Sequence, residues 1–376
     1  MMAELDSPTT IGMVYARLLP IAVSGLPRMF DAAKGLFCYR EILGPHGLTH
    51  RGHSVRYTAI ALIGLREAAQ QGLDSPLDLN LIERSLIANL PASLGDLGLC
   101  LWATSLARSM SALSVLDAIA SVVDHAEHGA LETLDPTELS WLLVGLCHHI
   151  GAAPARDQHW IDLRDRTARA LMGCLSPGTD LFSVLAPGTG GRLARRIRQR
   201  FSSFATSIYP IYALAVHAQQ SGNTENLTAA VRVAQRLCAL QTSDGSWPWM
   251  YDVRRGQVVD CYPVYSVHQD AMAPMALKKL SDCAGLRFDA SIGLGLKWLF
   301  GHNAKCFMMV DTCRATIWRS LCYTRLLGFN CHLPVQAMQC LVLGRPVLPL
   351  AGRIRVWPEC RPYHMGWLLL AGTLWT

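Results

Sequence analysis

Charged residues are scarce in this chain of 376 amino acids, because Asp, Glu, Lys and Arg together make up only 16% of it. Apolar residues account for 51%. A composition this poor in charge argues against a disordered chain, since it supplies enough apolar surface for a large core. The length allows one large domain or two smaller ones.

Several motifs with known chemistry are missing. The sequence has no Gly-rich phosphate loop, no HExxH motif, no Ser-His-Asp motif context and no CxxC pair. The 13 cysteines are scattered, mostly in apolar runs, as expected of free thiols in a reducing cytoplasm. Cys147-His148-His149 is a poor metal site, because adjacent side chains on a helix point in different directions. We therefore expect a cytoplasmic protein with no metal and no cofactor.

The positive charge is partly local. The formal net charge is +6, and five arginines fall within Gly191–Arg200. No aromatic interleaving or nucleic-acid motif accompanies them, so nucleic acid is not the expected partner. The run Arg192–Arg200 fits either a solvated surface or a peripheral contact with an anionic substrate, partner or membrane. We find neither a signal-peptide pattern nor an apolar run of the roughly 18 residues that a spanning helix needs.

Helical periodicity runs through almost the whole chain, and alternating β-branched stretches are scarce. Several predicted helices begin with polar or aromatic residues and continue as apolar runs rich in small residues and leucine. These helices begin near Arg56, Asp96, Glu138, Tyr209–Tyr212, Tyr262–His268, Asp311–Arg314 and Arg361–His364. Helices that are apolar all round are buried, whereas amphipathic stretches such as Asn226–Leu240 and Ile292–Phe300 fit outer positions.

Alternating inner and outer helices predict an all-α fold, an α/α barrel or toroid of about six to seven helical hairpins. The hairpins use the whole chain, so we expect a single α/α-barrel domain over residues 1–376. A solenoid of the same hairpins is the alternative. The closed barrel is favoured because the inner helices are too apolar to face solvent on a concave surface.

One short segment carries a resemblance to known families. Gln241-Thr242-Ser243-Asp244-Gly245-Ser246-Trp247 resembles the Q-x-x-D-G-x-W repeat of the terpenoid cyclase and prenyltransferase α/α-toroid superfamily. A Gln, an Asp-Gly and a Trp in this order also occur in six-hairpin glycosidases, polysaccharide lyases and sugar epimerases. The resemblance implies a toroid in which Gln241 and Trp247 connect neighbouring hairpins.

Such a barrel brings the amino termini of its inner helices to one rim, where helix dipoles favour anions. We predict catalytic roles there for His268, Asp270, Tyr265 and Asp311. The predicted substrate-binding residues are Arg56, Tyr57, Trp247, Trp249, Tyr212, Tyr262, Arg314, Arg361, Tyr363 and His364. Simple helix capping by Asp96 and Asp311 is the structural alternative for those two residues.

The residue types explain these assignments. Tyr265 and His268 are spaced i, i+3, so they share one helical face and could exchange protons with nearby carboxylates. Trp247 and Trp249 offer flat faces for sugar rings or for isoprenoid carbocations. Arg314 and Arg361 could clamp a carboxylate or a diphosphate through paired N–H donors.

Three functions remain open at this point. The first is a carbohydrate-active hydrolase, lyase or epimerase acting on a glycan or uronic-acid-type substrate, either a small molecule or an oligosaccharide. The second is a terpenoid cyclase-like enzyme with an Asp acid, although its D-x-D-D and D-D-x-x-D motifs are absent. The third is a non-catalytic binding barrel within a biosynthetic assembly.

Overall fold

Long helices alternate between an inner and an outer position along the chain. The computed structural model describes residues 5–125, 129–152, 157–184, 196–197, 199–324, 339–343 and 354–375. The helices are α1 (Pro8–Met29), α2 (Val55–Gln70), α3 (Leu79–Ile87), α4 (Leu94–Leu106), α5 (Ser111–His125), α6 (Pro136–Ala152), α7 (Gln158–Gly173), α8 (Phe204–Ser221), α9 (Thr224–Ala239), α10 (Ala273–Ala284), α11 (Asp289–Leu299) and α12 (Pro362–Thr373). A π-helical turn, His268–Met272, leads directly into α10, and a 3-10 turn covers Ala130–Thr133.

The six even-numbered helices form a closed ring, in which each packs against the next and α12 packs against α2. Each odd-numbered helix lies outside the ring, against its even-numbered partner. Helix α1, the first of the chain, covers α12, the last, so the two ends of the chain complete the sixth hairpin. The predicted all-α toroid is therefore confirmed, with six hairpins.

Short strands occupy the loops that lead from an outer helix into the next inner helix. They are β1 (Phe30–Asp31), β2 (Leu36–Gly44), β3 (Gly47–His53), β4 (Leu175–Ser176), β5 (Leu181–Phe182), β6 (Phe201–Ser203), β7 (Met250–Asp252), β8 (Gln257–Asp260), β9 (Val264–Tyr265), β10 (Val310–Asp311), β11 (Thr316–Ile317), β12 (Ser320–Tyr323), β13 (Ile354–Trp357) and β14 (Glu359–Cys360). The pairing is antiparallel throughout, with β3–β2–β14, β13–β12–β9 and β6–β7–β8 as the larger groups. All of these strands lie at the amino-terminal rim of the inner helices.

The prediction of an inner helix that begins at Asp311–Arg314 is wrong. Asp311 ends β10, and the following residues form a turn into β11 and then β12. The stretch Thr316–Tyr323 contains β-branched and aromatic residues that suit a strand, and β12 pairs with both β9 and β13. The sixth helix of the ring is α12, and the described segment after Asp311–Arg314 adds no helix to the ring.

Two inner helices, α2 and α8, begin where a serine side chain accepts one of the first free N–H groups. Ser54 accepts the amide of Tyr57 at the start of α2, and Ser203 accepts that of Thr206 at the start of α8. Pro362 opens α12, where a missing N–H costs nothing. These caps point the helix amino termini, with their unpaired donors, toward one rim.

Glycines let neighbouring inner helices touch through their backbones. A Cβ on Gly98 of α4 would collide with the backbone of Leu142 in α6, and one on Gly145 would collide with the carbonyl of Gly98. Gly64 of α2 and Gly366 of α12 face each other in the same way. The small residues of these runs are therefore required by helix packing.

Helix α1 is the one described helix whose length and composition would allow it to cross a membrane. Half of its most apolar 18-residue window is buried within the fold, against α12 and its surroundings. The sequence expectation that no such run exists was therefore wrong. The burial explains the apolar composition through packing, because an outer helix must cover the ring.

We predict that Gly98→Ala lowers the free energy of unfolding by about 1–3 kcal/mol, since the added methyl must displace the α6 backbone. Gly173→Ala is the matched control, because a Cβ there meets nothing within 4 Å. That control should be neutral or stabilising by up to about 1 kcal/mol. Urea unfolding of both variants measures the difference, and equal stabilities would contradict the packing explanation.

Candidate functional site

Aromatic rings fill the axis of the barrel. The indole of Trp102 lies 5.1 Å from the His148 ring, 5.6 Å from Tyr212 and 5.5 Å from Trp367, measured between ring centroids. The indole N–H of Trp367 donates to the Tyr209 hydroxyl at 2.8 Å. This aromatic plug, defined by these five residues, separates an amino-terminal rim from a carboxyl-terminal mouth.

Tyr212 forms the part of this plug that faces the carboxyl-terminal mouth. It is 5% exposed and lines the cavity at the carboxyl-terminal mouth. Tyr209, one turn earlier, is also buried and contacts Trp141 edge to face at 5.4 Å. The sequence predicts Tyr212 at the rim on the assumption that its helix begins at Tyr209. The helix α8 begins earlier, at Phe204, so Tyr212 lies deeper in the barrel. That placement was wrong.

Partly exposed aromatic rings line the rim. Tyr39 and Tyr57 stack with centroids 5.3 Å apart and an angle of 9°, and Tyr363 follows at 4.7 Å from Tyr57. Trp249 meets Tyr265 edge to face at 5.0 Å. The rim therefore holds two groups of packed aromatic rings.

Glu359 is the centre of a cluster of cations at the rim. Its buried carboxylate accepts bonds from Arg361 Nε at 2.5 Å, Arg319 Nη1 at 2.6 Å and Arg40 Nη1 at 3.2 Å. Trp357 Nε1 donates to it at 3.1 Å. Burial alone would raise the pKa of Glu359, but the charges of Arg319 and Arg361 outweigh it and hold that pKa below its usual value.

The arginines of this cluster also contact the rim aromatics. Arg361 donates to the hydroxyls of Tyr57 at 2.8 Å and Tyr39 at 3.2 Å, and its guanidinium lies 4.6 Å from the Tyr39 ring centroid. Arg319 lies 5.0 Å from the Tyr265 ring centroid. In the part of the chain that is described, Arg319 Nε has no hydrogen-bond partner. Three guanidinium groups against one carboxylate leave the cluster with a net charge of +2.

A buried acid–histidine pair lies next to this cluster. His364 Nε2 is 2.8 Å and 2.9 Å from the two carboxylate oxygens of Asp270. The Tyr15 hydroxyl donates to the backbone carbonyl of Asp270 at 2.9 Å. Burial raises the pKa of Asp270, while His364 acts in the opposite direction. Asp270 lies in the π-helical turn, an irregularity that is frequent at functional sites.

His268 lies in an aromatic enclosure. Its ring stacks on Trp249 at 5.8 Å and contacts Phe204 at 4.6 Å and Tyr265 at 5.2 Å. Burial lowers the pKa of His268 to about 3, assisted by the nearby His364 and by Arg319. Its Nδ1 has no partner among the described residues. The imidazole is therefore neutral at physiological pH, next to a second histidine that is bound to a carboxylate.

A second ion pair borders a cavity at the rim. Arg56 binds Asp96 through Nε at 2.5 Å and Nη2 at 3.1 Å, and its guanidinium lies 5.0 Å from the Trp141 ring centroid. The cavity has a volume of about 380 Å³, and Tyr39 and Tyr57 are among its lining residues. Asp96 is thus an ion-pair partner, while Ser93 occupies the cap position of its helix.

Glu138 serves the start of its own helix. It accepts the amide of Asp135 at 3.2 Å, while Asp135 accepts the amide of Glu138 at 3.0 Å. Ser93 also donates to Glu138 at 3.0 Å. This reciprocal capping explains the residue without a catalytic role.

The segment Gln241–Trp247 holds two hairpins together. Gln241 Nε2 donates to the carbonyl of Gly245 at 2.8 Å and to that of Ser291 in α11 at 2.9 Å. Trp247 is fully buried and packs on Phe204. Gly245 has φ +85°, and a Cβ there would strike the Leu294 backbone. The side chain of Trp247 therefore lies in the core and does not face the rim.

The remaining sequence candidates lie toward the edge of the rim. Asp311 accepts the amide of Arg314 at 3.0 Å and pairs with its guanidinium at 2.9 Å, within the turn between β10 and β11. Their predicted roles relied on a helix that is absent. Tyr262, before a cis proline, contacts the Tyr323 ring at 5.1 Å. The run Arg192–Arg200 lies mostly outside the described residues, and Arg200 pairs with Asp252 at 2.7 Å.

Sequence reasoning missed Glu359, Arg319 and Trp357. Arg319 was placed inside a predicted helix, but it lies in the link between β11 and β12, and Glu359 lies in β14, three residues before α12 begins. Glu359 and Arg361 stand two residues apart, and this spacing was the available signal.

Structural comparison finds toroids of known function. A sugar epimerase from a ruminal bacterium has a TM-score of 0.63 at 12% identity, with 96% of this chain and 98% of that chain covered. An unsaturated glucuronyl hydrolase specific for heparin gives 0.59 at 14%, covering 96% and 97%. An unsaturated glucuronyl hydrolase mutant from Streptcoccus agalactiae, complexed with dGlcA-GalNAc6S, gives 0.59 at 10%, covering 99% and 93%. No protein-family description and no curated protein matches the chain. These likenesses establish the six-hairpin toroid fold.

The buried neutral His268 makes the protein less stable toward acid. Its pKa is about 3 in the folded chain and about 6.5 when unfolded, so the unfolded state binds more protons between these values. The free energy of unfolding therefore falls as the pH drops through this window, by up to about 1.4 kcal/mol per pH unit from this residue. His268→Gln and His268→Phe should both flatten the slope, although their absolute stabilities differ. Urea unfolding from pH 7 to pH 4 measures it, and a slope as steep as in the parent protein would contradict this account.

Proposed function

We propose that the amino-terminal rim is the active site of a carbohydrate-active enzyme that acts on a uronic-acid-type glycan. The observation that carries the proposal is the cluster around Glu359, with its net charge of +2 beside partly exposed aromatic rings. The structural neighbours support it, since their names describe a sugar epimerase and unsaturated glucuronyl hydrolases. One domain would carry the whole activity.

The charge of the cluster fits a sugar carboxylate. Arg319 and Arg361 remain positive at every physiological pH, and the inner-helix amino termini add their dipoles to the same rim. Arg319 Nε is buried and has no partner among the described residues, while 22% of the Arg319 side chain stays exposed and would offer its charge to a substrate oxygen. The stacked Tyr39 and Tyr57 would support a neighbouring sugar ring.

The two histidines suit proton transfer next to that carboxylate. His268 is neutral but a weak base, with a pKa of about 3, so its removal of a proton from the carbon that bears the carboxylate depends on a nearby arginine that increases the acidity of that carbon. His364, oriented by Asp270, would return a proton to the opposite face or to the leaving oxygen. A neutral histidine beside a histidine that a carboxylate orients provides two positions between which a proton can move. This arrangement favours epimerisation at the carbon that bears the carboxylate, or elimination of the leaving oxygen.

Hydrolysis by two opposed carboxylates has less support at this rim. Asp96 is bound to Arg56, Glu138 caps its helix, and Glu359 is held by arginines. A cyclase acid is equally constrained, because both oxygens of Asp270 contact His364. The resemblance of Gln241–Trp247 to the cyclase motif remains a prediction about architecture.

Binding of acidic and neutral disaccharides tests the proposal. We expect unsaturated chondroitin disaccharide to bind at least ten-fold more tightly than lactose by titration calorimetry. Arg319→Met should weaken that binding about 10- to 100-fold, because a charge-assisted hydrogen bond contributes about 1.5–3 kcal/mol. Arg314→Met is the control, since that exposed arginine pairs with Asp311 at the edge of the rim, and it should leave the affinity unchanged.

Other results would point to the other functions. Equal affinity for the two disaccharides would contradict a carboxylate site. Binding of geranyl diphosphate in preference to both sugars would favour the cyclase alternative. Tight sugar binding with no turnover of any acidic oligosaccharide would favour a binding barrel.

A further inference from the structure

A second large cavity opens at the carboxyl-terminal mouth, on the other side of the aromatic plug from the rim. Its volume is about 760 Å³, within the usual range for small-molecule sites. The carboxyl-terminal parts of the inner helices supply its walls, so it lies at the end of the ring opposite to Glu359 and His364. The plug keeps the two spaces apart.

Aromatic rings form the floor of this cavity, and the lower part of its walls is apolar. Tyr212 and His148 both stack on Trp102, with centroids 5.6 Å and 5.1 Å away, and both line the cavity. Leu370 in α12 and Leu374, directly after that helix, complete the apolar part of the wall. Burial lowers the pKa of His148 to about 4, so this ring is uncharged at neutral pH. A ligand would therefore rest on neutral rings.

The upper walls carry polar groups of mixed character. Glu67 is mostly enclosed, yet its carboxylate has no hydrogen-bond or ion-pair partner among the described residues. Burial raises the pKa of Glu67, and Lys279 acts in the opposite direction. Lys279 Nζ donates to Gln219 Oε1 at 2.7 Å. Ser105 Oγ is buried at the cavity wall and also lacks a partner in the described part of the chain.

We propose that this mouth is a binding site for a neutral saccharide of one or two rings. A sugar hydroxyl can donate to Glu67 and accept from Lys279 or Ser105, and one apolar sugar face can rest against the aromatic floor. Glu67 offsets the charge of Lys279, and Arg108 at the cavity edge leaves a net charge of +1, in contrast to the concentrated +2 cluster at the rim, so a neutral sugar meets both a donor and an acceptor here. The site stands independently of the function proposed for the rim.

Saturation-transfer NMR with a panel of neutral sugars tests this site. We expect at least one of glucose, galactose, mannose, N-acetylglucosamine, lactose and cellobiose to bind with a millimolar or lower Kd. Glu67→Gln should weaken the binding at least five-fold, because it replaces the unpartnered carboxylate with an amide of the same shape. Val216→Trp, on the half-buried cavity wall, should abolish it by filling the space.

Two controls separate this site from the rim and from a loss of folding. Leu113→Trp adds the same ring at a position that is 50% exposed and should leave binding unchanged. Arg319→Met should also leave neutral-sugar binding unchanged, although it weakens acidic disaccharides at the rim. The proposal is overturned if no sugar of the panel binds the parent protein at 50 mM, or if binding survives both Glu67→Gln and Val216→Trp. Loss of neutral-sugar binding in Arg319→Met would also overturn it, since the sugar would then occupy the rim.

Discussion

The contact between glycines on neighbouring inner helices is the constraint on which the rest of this structure depends. Where Gly98 meets Gly145, and where Gly64 meets Gly366, no side chain separates the helix backbones. The ring is therefore narrow enough for a few aromatic side chains to close its axis. A wider ring would leave a channel, whereas this one has two separate mouths with different electrostatics.

In the part of the chain that is described, the long loops lie at one of these mouths, the amino-terminal rim. Every described strand lies in a segment that leads into the amino terminus of an inner helix, and these segments bring Tyr39, Arg319 and Glu359 to the rim. Burying Glu359 is costly, and three arginines offset that cost while leaving an excess of positive charge. The other mouth is bounded mainly by helix ends and short turns, and there Glu67 faces two cations, Lys279 and Arg108. One fold thus combines a rim with a compact cluster of arginines and a second mouth with fewer charges.

Much of the architecture could be predicted from the sequence, because apolar periodicity and small residues report directly on buried helices. The convergence of Arg56, Tyr57, Arg361 and His364 at one rim followed from counting helices. The side chains' partners did not follow, since the ion pairs Arg56–Asp96 and Asp270–His364 join residues 40 and 94 positions apart. Asp311 and Arg314 were misplaced because the short, mostly apolar stretch that follows them fits a buried helix and a central strand equally well.

Proton exchange at the substrate carbon tests the central claim, that histidines at the rim move protons beside a sugar carboxylate. Chondroitin and heparin oligosaccharides would be incubated with the protein in D₂O and followed by NMR. The account predicts deuterium at the carbon that bears the carboxylate, or a new double bond there, with the rate reduced at least 100-fold in His364→Asn. Cleavage of the glycosidic bond without exchange at that carbon, or exchange that persists at full rate in His364→Asn, would contradict it.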